Sequence, residues 1–581
     1  MSGQNSGSFS LRAVNQYRQR DVFTYLALRY YLDNAAARSD HWAERFCVDS
    51  VIKRSTLPYS SVLHFKAMEG GKPTHRQMYF PAAGEALAEA VLIDACASSE
   101  GTGFVLSSSV YSYRPVSPGK VSGIFDHYMD GFRRRHESIT EMCRNPEGKV
   151  VAFMDIKRFY PSVREEVASK AWEKACNRSN LKEPLVELGF KLLADHARVA
   201  RTSSESGSAI LTGPMFSHLI ANLVLSDVDA AFSCGEVGYC RYVDDIALVG
   251  TPDRVHRARQ RLASLLDEIG LELHDESSGK SLEIAASTWL DGAEDDDEWK
   301  QEDSWMKLVG DVKKLLVVRP DLTQQLSLQF SNHGFRMPVL DYSIAAQEST
   351  YAKRIAGSAD HLMYSGDVSK VAIEQLIGRA SALKERYFNE LKAITDAYGV
   401  ADGFQAKRLL PKIRYRLGRL AYLSDNGELR SMSEDIKDPS LALHGEVVKA
   451  IASGRVDLVL EMGRNVAQAV AQPVGMEGNR VVVEKTELSS AELQALAVFK
   501  VNGVEVQANL PKDVTDNNEL IRFVERGPDI DMMRSGDPFL SNLASLHGLS
   551  ANVRHYEMLD TPFDAFEEIA LDALDPAGGS L

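Results

Sequence analysis

The segment GYCRYVDDIALVG (residues 238–250) sets two adjacent aspartates, Asp244 and Asp245, between two apolar runs. Tyr242 and Val243 precede the pair, and Ile246, Ala247, Leu248 and Val249 follow it. That pattern reads as two short strands meeting at a tight turn around Val243–Asp245. Such a turn holds both carboxylates at one edge of a sheet. Two carboxylates about 4 Å apart repel by roughly 4 kcal/mol at an effective dielectric of 20. A hard divalent cation, Mg²⁺ or Mn²⁺, turns that repulsion into attraction.

Working outward, VVAFMDI (150–156) is an apolar, β-branched run ending on Asp155. It reads as a central strand. A third carboxylate from a strand beside the pair would complete a two-metal site, one cation at the attacking oxygen and one at the leaving oxygen. Phosphoryl transfer is mostly positioning and charge neutralisation, so carboxylates and metal ions suffice for it. Between the two carboxylate segments lies ILTGPMFSHLIANLVLSDVD (210–229), a loop running into an apolar helix.

Taken together, these segments resemble a reverse transcriptase. Tyr242-Val243-Asp244-Asp245 is similar to the YxDD motif of that family, and the run from Asp155 through Tyr160 to Ser162 resembles its first catalytic motif in the bacterial branch. Gly213-Pro214, Ser217, Ala221-Asn222 and Leu225 match the intervening motif, although Leu211 stands where the family usually has proline. The resemblance implies an α+β fold, a right-hand polymerase palm and fingers domain, followed here by a mostly α-helical C-terminal domain. It implies Asp155, Asp244 and Asp245 as metal ligands for Mg²⁺ or Mn²⁺. It implies Tyr160 as the aromatic residue that crowds the sugar 2′ position, and Thr212 and Gly213 as nucleotide contacts. Upstream, Arg76 and Arg114 look like the fingers residues that meet the incoming triphosphate. Downstream, GLELHDESSGK (270–280) resembles the motif whose lysine, here Lys280, acts near the pyrophosphate as a general acid.

The match spans roughly 75–285. SYRP at 112–115, FYPS at 159–162 and a long helical C-terminus resemble the defence-associated reverse transcriptases of bacteria, the abortive-infection and unknown-group clade. That likeness implies antiviral defence by RNA-directed DNA synthesis from dNTPs, on an RNA template that is often a dedicated non-coding RNA. It also implies a DNA product and a homo-oligomer or a partner protein. Protein-primed or untemplated synthesis by the same site is one alternative. A catalytically silent RNA-binding scaffold is the other.

The expected organisation is a disordered lead over 1–10, fingers and palm over 11–290, an acidic linker over 291–305, and a helical, repeat-like domain over 306–581. The linker carries DGAEDDDE (291–298). In 370–395 apolar residues recur every three or four positions. VFKVNGVEVQ (498–507) reads as a small type I′ hairpin turning at Asn502-Gly503.

The formal net charge of −15 argues against nucleic acid as a partner when taken whole. Divided, it says something else. Residues 1–290 hold 34 basic and 35 acidic residues, and 291–581 hold 32 and 46. Two basic surfaces stand out as nucleic-acid contacts: Arg133, Arg134 and Arg135, and KRLLPKIRYRLGRLAY (407–422), where Lys412, Arg414 and Arg416 lead. The six cysteines form no CxxC pair, so neither a disulfide scaffold nor a zinc cluster is expected. The polar start MSGQNSGSFS and the lack of a long apolar run predict a cytoplasmic chain with no membrane contact.

Overall fold

The computed structural model describes residues 8–17, 25, 28, 32, 36–37, 39–55, 59–116, 123–202, 207–233, 235–275, 279–291, 304–348, 373–401, 403–478, 480–508, 518–527, 531–532, 535 and 537–549. Its architecture is mixed α+β, with small sheets among many helices.

The first described helix, α1 (Ser8–Tyr17), begins inside the stretch expected as a disordered lead. Phe9, Ala13, Val14 and Tyr17 fall on one helical face and are buried, which is why this segment is ordered. Strands β1 (Tyr59–Glu69) and β2 (Lys72–Pro81) form a long antiparallel hairpin. Its turn is Gly70-Gly71, both at positive φ (59° and 79°), a conformation that glycine adopts without steric cost. Helix α2 (Ala83–Ser98) follows and is buried along most of its length. Helix α3 (Tyr128–Met142) leads into the central sheet.

That sheet is built from β3 (Val150–Asp155), β4 (Gly238–Tyr242), β5 (Asp245–Gly250) and β6 (Leu282–Ala285), in the order β4-β5-β3-β6, with antiparallel neighbours. Strand β3 is central and covered on both faces, which explains its uninterrupted apolar sequence. On one face, Ala152, Met154, Ile246 and Leu248 join the main core. On the other, Val151, Phe153, Ala247 and Val249 join Ile139 of α3, Cys143 at its end, Trp289 and Phe404.

Between β3 and β4 run α4 (Glu165–Cys176), α5 (Glu183–Arg201), α6 (Met215–Val224) and α7 (Ser226–Phe232). Every residue of α6 is buried, including the polar Ser217, His218 and Asn222. No single helix among the described residues is long and apolar enough to cross a membrane, and α6 with α7 would pass only as a pair bent by 46°. The segment 292–303, which holds most of the expected acidic linker, lies outside the described residues, as does 551–581.

Beyond residue 304 the described residues are mostly helical. It includes α8 (Ile373–Val400), α9 (Gly403–Leu423), α10 (Asp457–Met462), α11 (Arg464–Met476) and α12 (Ser490–Val501). The hairpin expected at 498–507 is not formed. Residues 498–501 complete α12, Asn502-Gly503 ends that helix, and β8 (Glu505–Ala508) pairs in parallel with β7 (Arg480–Val483). Asn-Gly is compatible with both a I′ turn and a helix C-terminus. Val498 and Phe499, buried on the helix, decide for the second.

The two halves do not have separate cores. One hydrophobic cluster runs without a break from Phe9 to Ala544. The hairpin β1–β2 is also tied to the C-terminal half: Asn465 Nδ2 lies 2.8 Å from His64 Nε2, and His75 Nε2 lies 2.9 Å from the Glu461 carbonyl.

Candidate active site

The sheet brings the three expected carboxylates to one edge. Asp155, the last residue of β3, is the cross-strand partner of Asp245, the first residue of β5. Tyr242 of β4 pairs with the same Asp245, so Val243 and Asp244 alone make the turn. Asp155 is buried, and Asp244 and Asp245 are half-buried.

The turn is strained. Val243 has φ +57°, where a β-branched residue is rare because its Cβ crowds the backbone. A buried network holds it there. The Val243 N–H donates to Ser112 Oγ (2.7 Å), and Arg241 Nη1 donates to the Val243 carbonyl (2.9 Å). Arg241 is fully buried and forks onto Asp229, Nε to Oδ1 at 2.7 Å and Nη2 to Oδ2 at 2.6 Å. Its Nη1 also donates to Asn222 Oδ1 (3.1 Å), and Asn222 Nδ2 donates to the carbonyls of Ser112 and Tyr113 (3.2 Å each). Tyr113 is itself at φ +46°. Strain of this kind, about 1–3 kcal/mol per residue, persists where the surroundings over-determine it and clusters at functional sites.

The electrostatics follow from the clustering. Burial, then repulsion from Asp245 and Asp155, pushes the Asp244 carboxyl up to about 7. Burial raises Asp245 as well; Arg135 opposes most, Asp155 pushes the same way, and Lys280 and Lys407 oppose. Lys280 Nζ sits 3.2 Å from Asp155 Oδ2, and His274 Nε2 lies 3.9 Å from the same oxygen. Backbone pairing sets this arrangement: the N–H of His274 donates to the Asp155 carbonyl (2.9 Å), and the N–H of Lys157 to that of Glu272 (2.7 Å). Among the described residues, no three His, Cys, Asp or Glu side chains are gathered closely enough to enclose a metal ion. In kind, three converging aspartates suit a hard divalent cation, and their mutual repulsion is what such an ion relieves.

No known family profile and no curated protein matches the sequence. The site therefore rests on its own geometry.

The remaining expected residues divide. Arg76, exposed on β2, is close enough to Asp244 to favour its ionised form. Arg114, by contrast, is half-buried, and its Nη1 donates to the carbonyls of Ser107 (2.7 Å) and Val110 (2.6 Å), which folds the 107–114 loop. Tyr160 is buried on the short helical turn after Asp155. Its hydroxyl shares a 2.5 Å hydrogen bond with His218 Nδ1, and His218 stacks on Tyr113 at 3.7 Å. The Thr212 carbonyl accepts the Tyr79 N–H (2.8 Å) at the end of β2. Gly213, at φ +128°, passes so near that a Cβ would lie 2.3 Å from the Tyr79 oxygen.

The two basic surfaces need correction. Arg133 and Arg134 are exposed, and they pair with Asp130 (3.1 Å) and Asp126 (2.7 Å). Arg135 is buried on the inner face of α3, 5.8 Å over the Phe153 ring, and acts on Asp245 rather than on solvent. Arg416 is buried and pairs with Glu390 (3.0 Å). Arg414 donates to the Ser440 carbonyl (3.1 Å), and Lys412 is half-buried. The arginines at 135 and 416 are thus fold-internal cations, because helical geometry turns every third or fourth residue inward.

Three contributors were not anticipated: Ser112, the Arg241–Asp229 pair and Lys407. Arg241 and Asp229 lie within the quoted segments, but burial alone gives them their role. Lys407 comes from the other half of the chain, and nothing in its local sequence signals the approach.

Proposed function

We propose that this chain is a nucleotidyltransferase of the reverse transcriptase type, an RNA-directed DNA polymerase serving antiviral defence. The observation that carries the reading is the cross-strand pairing of Asp155 with Asp245, next to an Asp244 held in a strained two-residue turn. A palm-like sheet beside a long β-hairpin that carries Arg76 supports it. Asp155, Asp244 and Asp245 would hold Mg²⁺ or Mn²⁺, which when bound neutralise charge on the attacking and leaving oxygens.

The chain's own groups then have distinct tasks. A primer 3′-hydroxyl attacks the α-phosphorus of a dNTP; the new O3′–phosphorus bond forms as the bond to the pyrophosphate oxygen breaks. The proton of the hydroxyl passes to solvent. Lys280, beside Asp155, donates a proton to the leaving pyrophosphate. Arg76 meets the triphosphate from β2. Tyr160, fixed against His218, is the residue that this reading assigns to the sugar 2′ position.

The test is incorporation of labelled dNTPs by the purified protein with the nucleic acid that copurifies with it. The wild type incorporates, and Asp244→Asn reduces incorporation by about 10²–10³-fold or more, the loss seen when one charge-stabilising group is removed from the reacting centre being of that order. Persistent synthesis by that variant would refute the site. Sequencing the product and digesting it with protease distinguishes templated from untemplated and protein-primed synthesis.

A further inference from the structure

The C-terminal half reaches the candidate active site through the start of helix α9. Phe404, in the first turn of α9, is buried against the sheet face that carries the aspartates. Its ring lies 6.4 Å from Phe153, two residues before Asp155, and 5.7 Å from Trp289. One turn further on, Lys407 is half-buried, and its Nζ donates to the Gly279 carbonyl (2.7 Å). Gly279 immediately precedes Lys280, whose ammonium sits 3.2 Å from Asp155. Two ammonium groups from opposite halves of the chain therefore share one rim of the carboxylate cluster.

Lys280 is exposed and Lys407 half-buried, so the two like charges stand side by side at an open rim, an arrangement that a further incoming anion relieves. Burial and the charge of Lys280 both lower the Lys407 pKa, against the pull of Asp245. A lysine recruited only to pair with Asp245 would not be set beside another lysine. A polyphosphate carries several charged oxygens and engages two separate ammonium groups at once.

We propose that Lys407, delivered by the C-terminal helical half, binds the polyphosphate of the incoming nucleotide together with Lys280, so that α9 completes the nucleotide site. The proposal rests on the polymerase reading for the nucleotide but not for the polyphosphate. Arg76, on the β-hairpin, adds a further cation near the same cluster, beside Asp244.

The experiment uses the full-length chain. Two measurements are made on wild type, Lys407→Gln and Lys407→Arg: the KM for dNTP in the incorporation assay, and the affinity for inorganic tripolyphosphate with Mg²⁺ by calorimetry. Circular dichroism checks that each variant is folded. Lys407→Gln is expected to raise KM and to weaken tripolyphosphate binding, each about tenfold, with a smaller change in kcat; Lys407→Arg restores most of both. A purely structural lysine would lower kcat and stability together and leave the tripolyphosphate affinity unchanged, which overturns the proposal. If wild type incorporates dNTP, Asp244→Asn does not, and Lys407→Gln matches wild type in both assays, the proposal falls while the polymerase reading stands. If wild type incorporates nothing yet binds tripolyphosphate in a Lys407-dependent way, the phosphate site stands and the polymerase reading falls. Absence of tripolyphosphate binding by the wild type overturns the proposal.

Discussion

Asp244 is the residue on which chemistry and stability conflict most. Its carboxyl titrates near 7 in the folded protein, against about 4 in an unfolded chain. A group whose folded pKa is raised favours folding when protonated. Its contribution is therefore best in acid and is lost as pH rises from about 4 through 7. The shift corresponds to about 2–4 kcal/mol of destabilisation at pH 8. In EDTA, Asp244→Asn is expected to be more stable than wild type by about 2 kcal/mol at pH 8, and equal to it at pH 4. Urea denaturation at both pH values measures this, and an advantage independent of pH would show that charge is not the cause. Mg²⁺ should raise the wild-type Tm more than that of the variant. Arg241 is the opposite case. Replacing it with Met leaves Asp229 buried without its ion pair, although Tyr239 Oη still donates to it, and releases the Val243 carbonyl, at a cost of about 3–5 kcal/mol. Denaturant titration checks the cost. The three aspartates were legible in the sequence because their spacing and apolar flanks are local. The network behind them was not, because burial alone makes Arg241 and Ser112 structural.

At the scale of elements, legibility followed the range of the interactions that decide each one. Strand β3 and helices α6, α8 and α9 are encoded by continuous or periodic apolar residues, and the structure has them where the sequence puts them. Gly70-Gly71 turns a long hairpin that was not anticipated from the sequence, whereas Asn502-Gly503, expected as a hairpin turn, ends a buried helix instead. The basic helix α9 shows the same limit. Its charge is legible, but which arginines turn inward depends on what it packs against. The junction between β2 and the 210–214 loop is settled by contact distance. Gly213 approaches the Tyr79 oxygen too closely for any side chain and at a φ that L residues rarely adopt. Gly213→Ala must displace either the loop or the end of β2, at a cost of at least about 2 kcal/mol. Thermal unfolding measures the loss, and a variant as stable as wild type would mean that the two elements are not locked together.

For the whole molecule, the charge division and the packing lead to different conclusions about autonomy. A neutral half and an acidic half joined by a run of acidic residues suggest two independent domains. The continuous cluster from Phe9 to Ala544, the contacts of His64 and His75, and the insertion of Phe404 make them one cooperative body. Cutting the chain at the acidic run would expose the face of the sheet that Phe404 covers and the surface of the β-hairpin that α10 and α11 cover. Exposed apolar patches of that kind destabilise and aggregate. Residues 1–291 alone are thus expected to lack a cooperative unfolding transition and to incorporate no dNTP. Co-expression with residues 304–581 should restore both, since the second piece brings back Phe404 and Lys407. The gentler variant Phe404→Ala, in the intact chain, should cost about 3–5 kcal/mol, as buried aromatic truncations do. A fragment 1–291 that unfolds cooperatively and incorporates dNTP at the wild-type rate would show that the acidic half regulates the site from outside. Its failure, with rescue in trans, would show that the acidic half is part of the site, and that the charge asymmetry reports where solvent lies rather than where one unit ends.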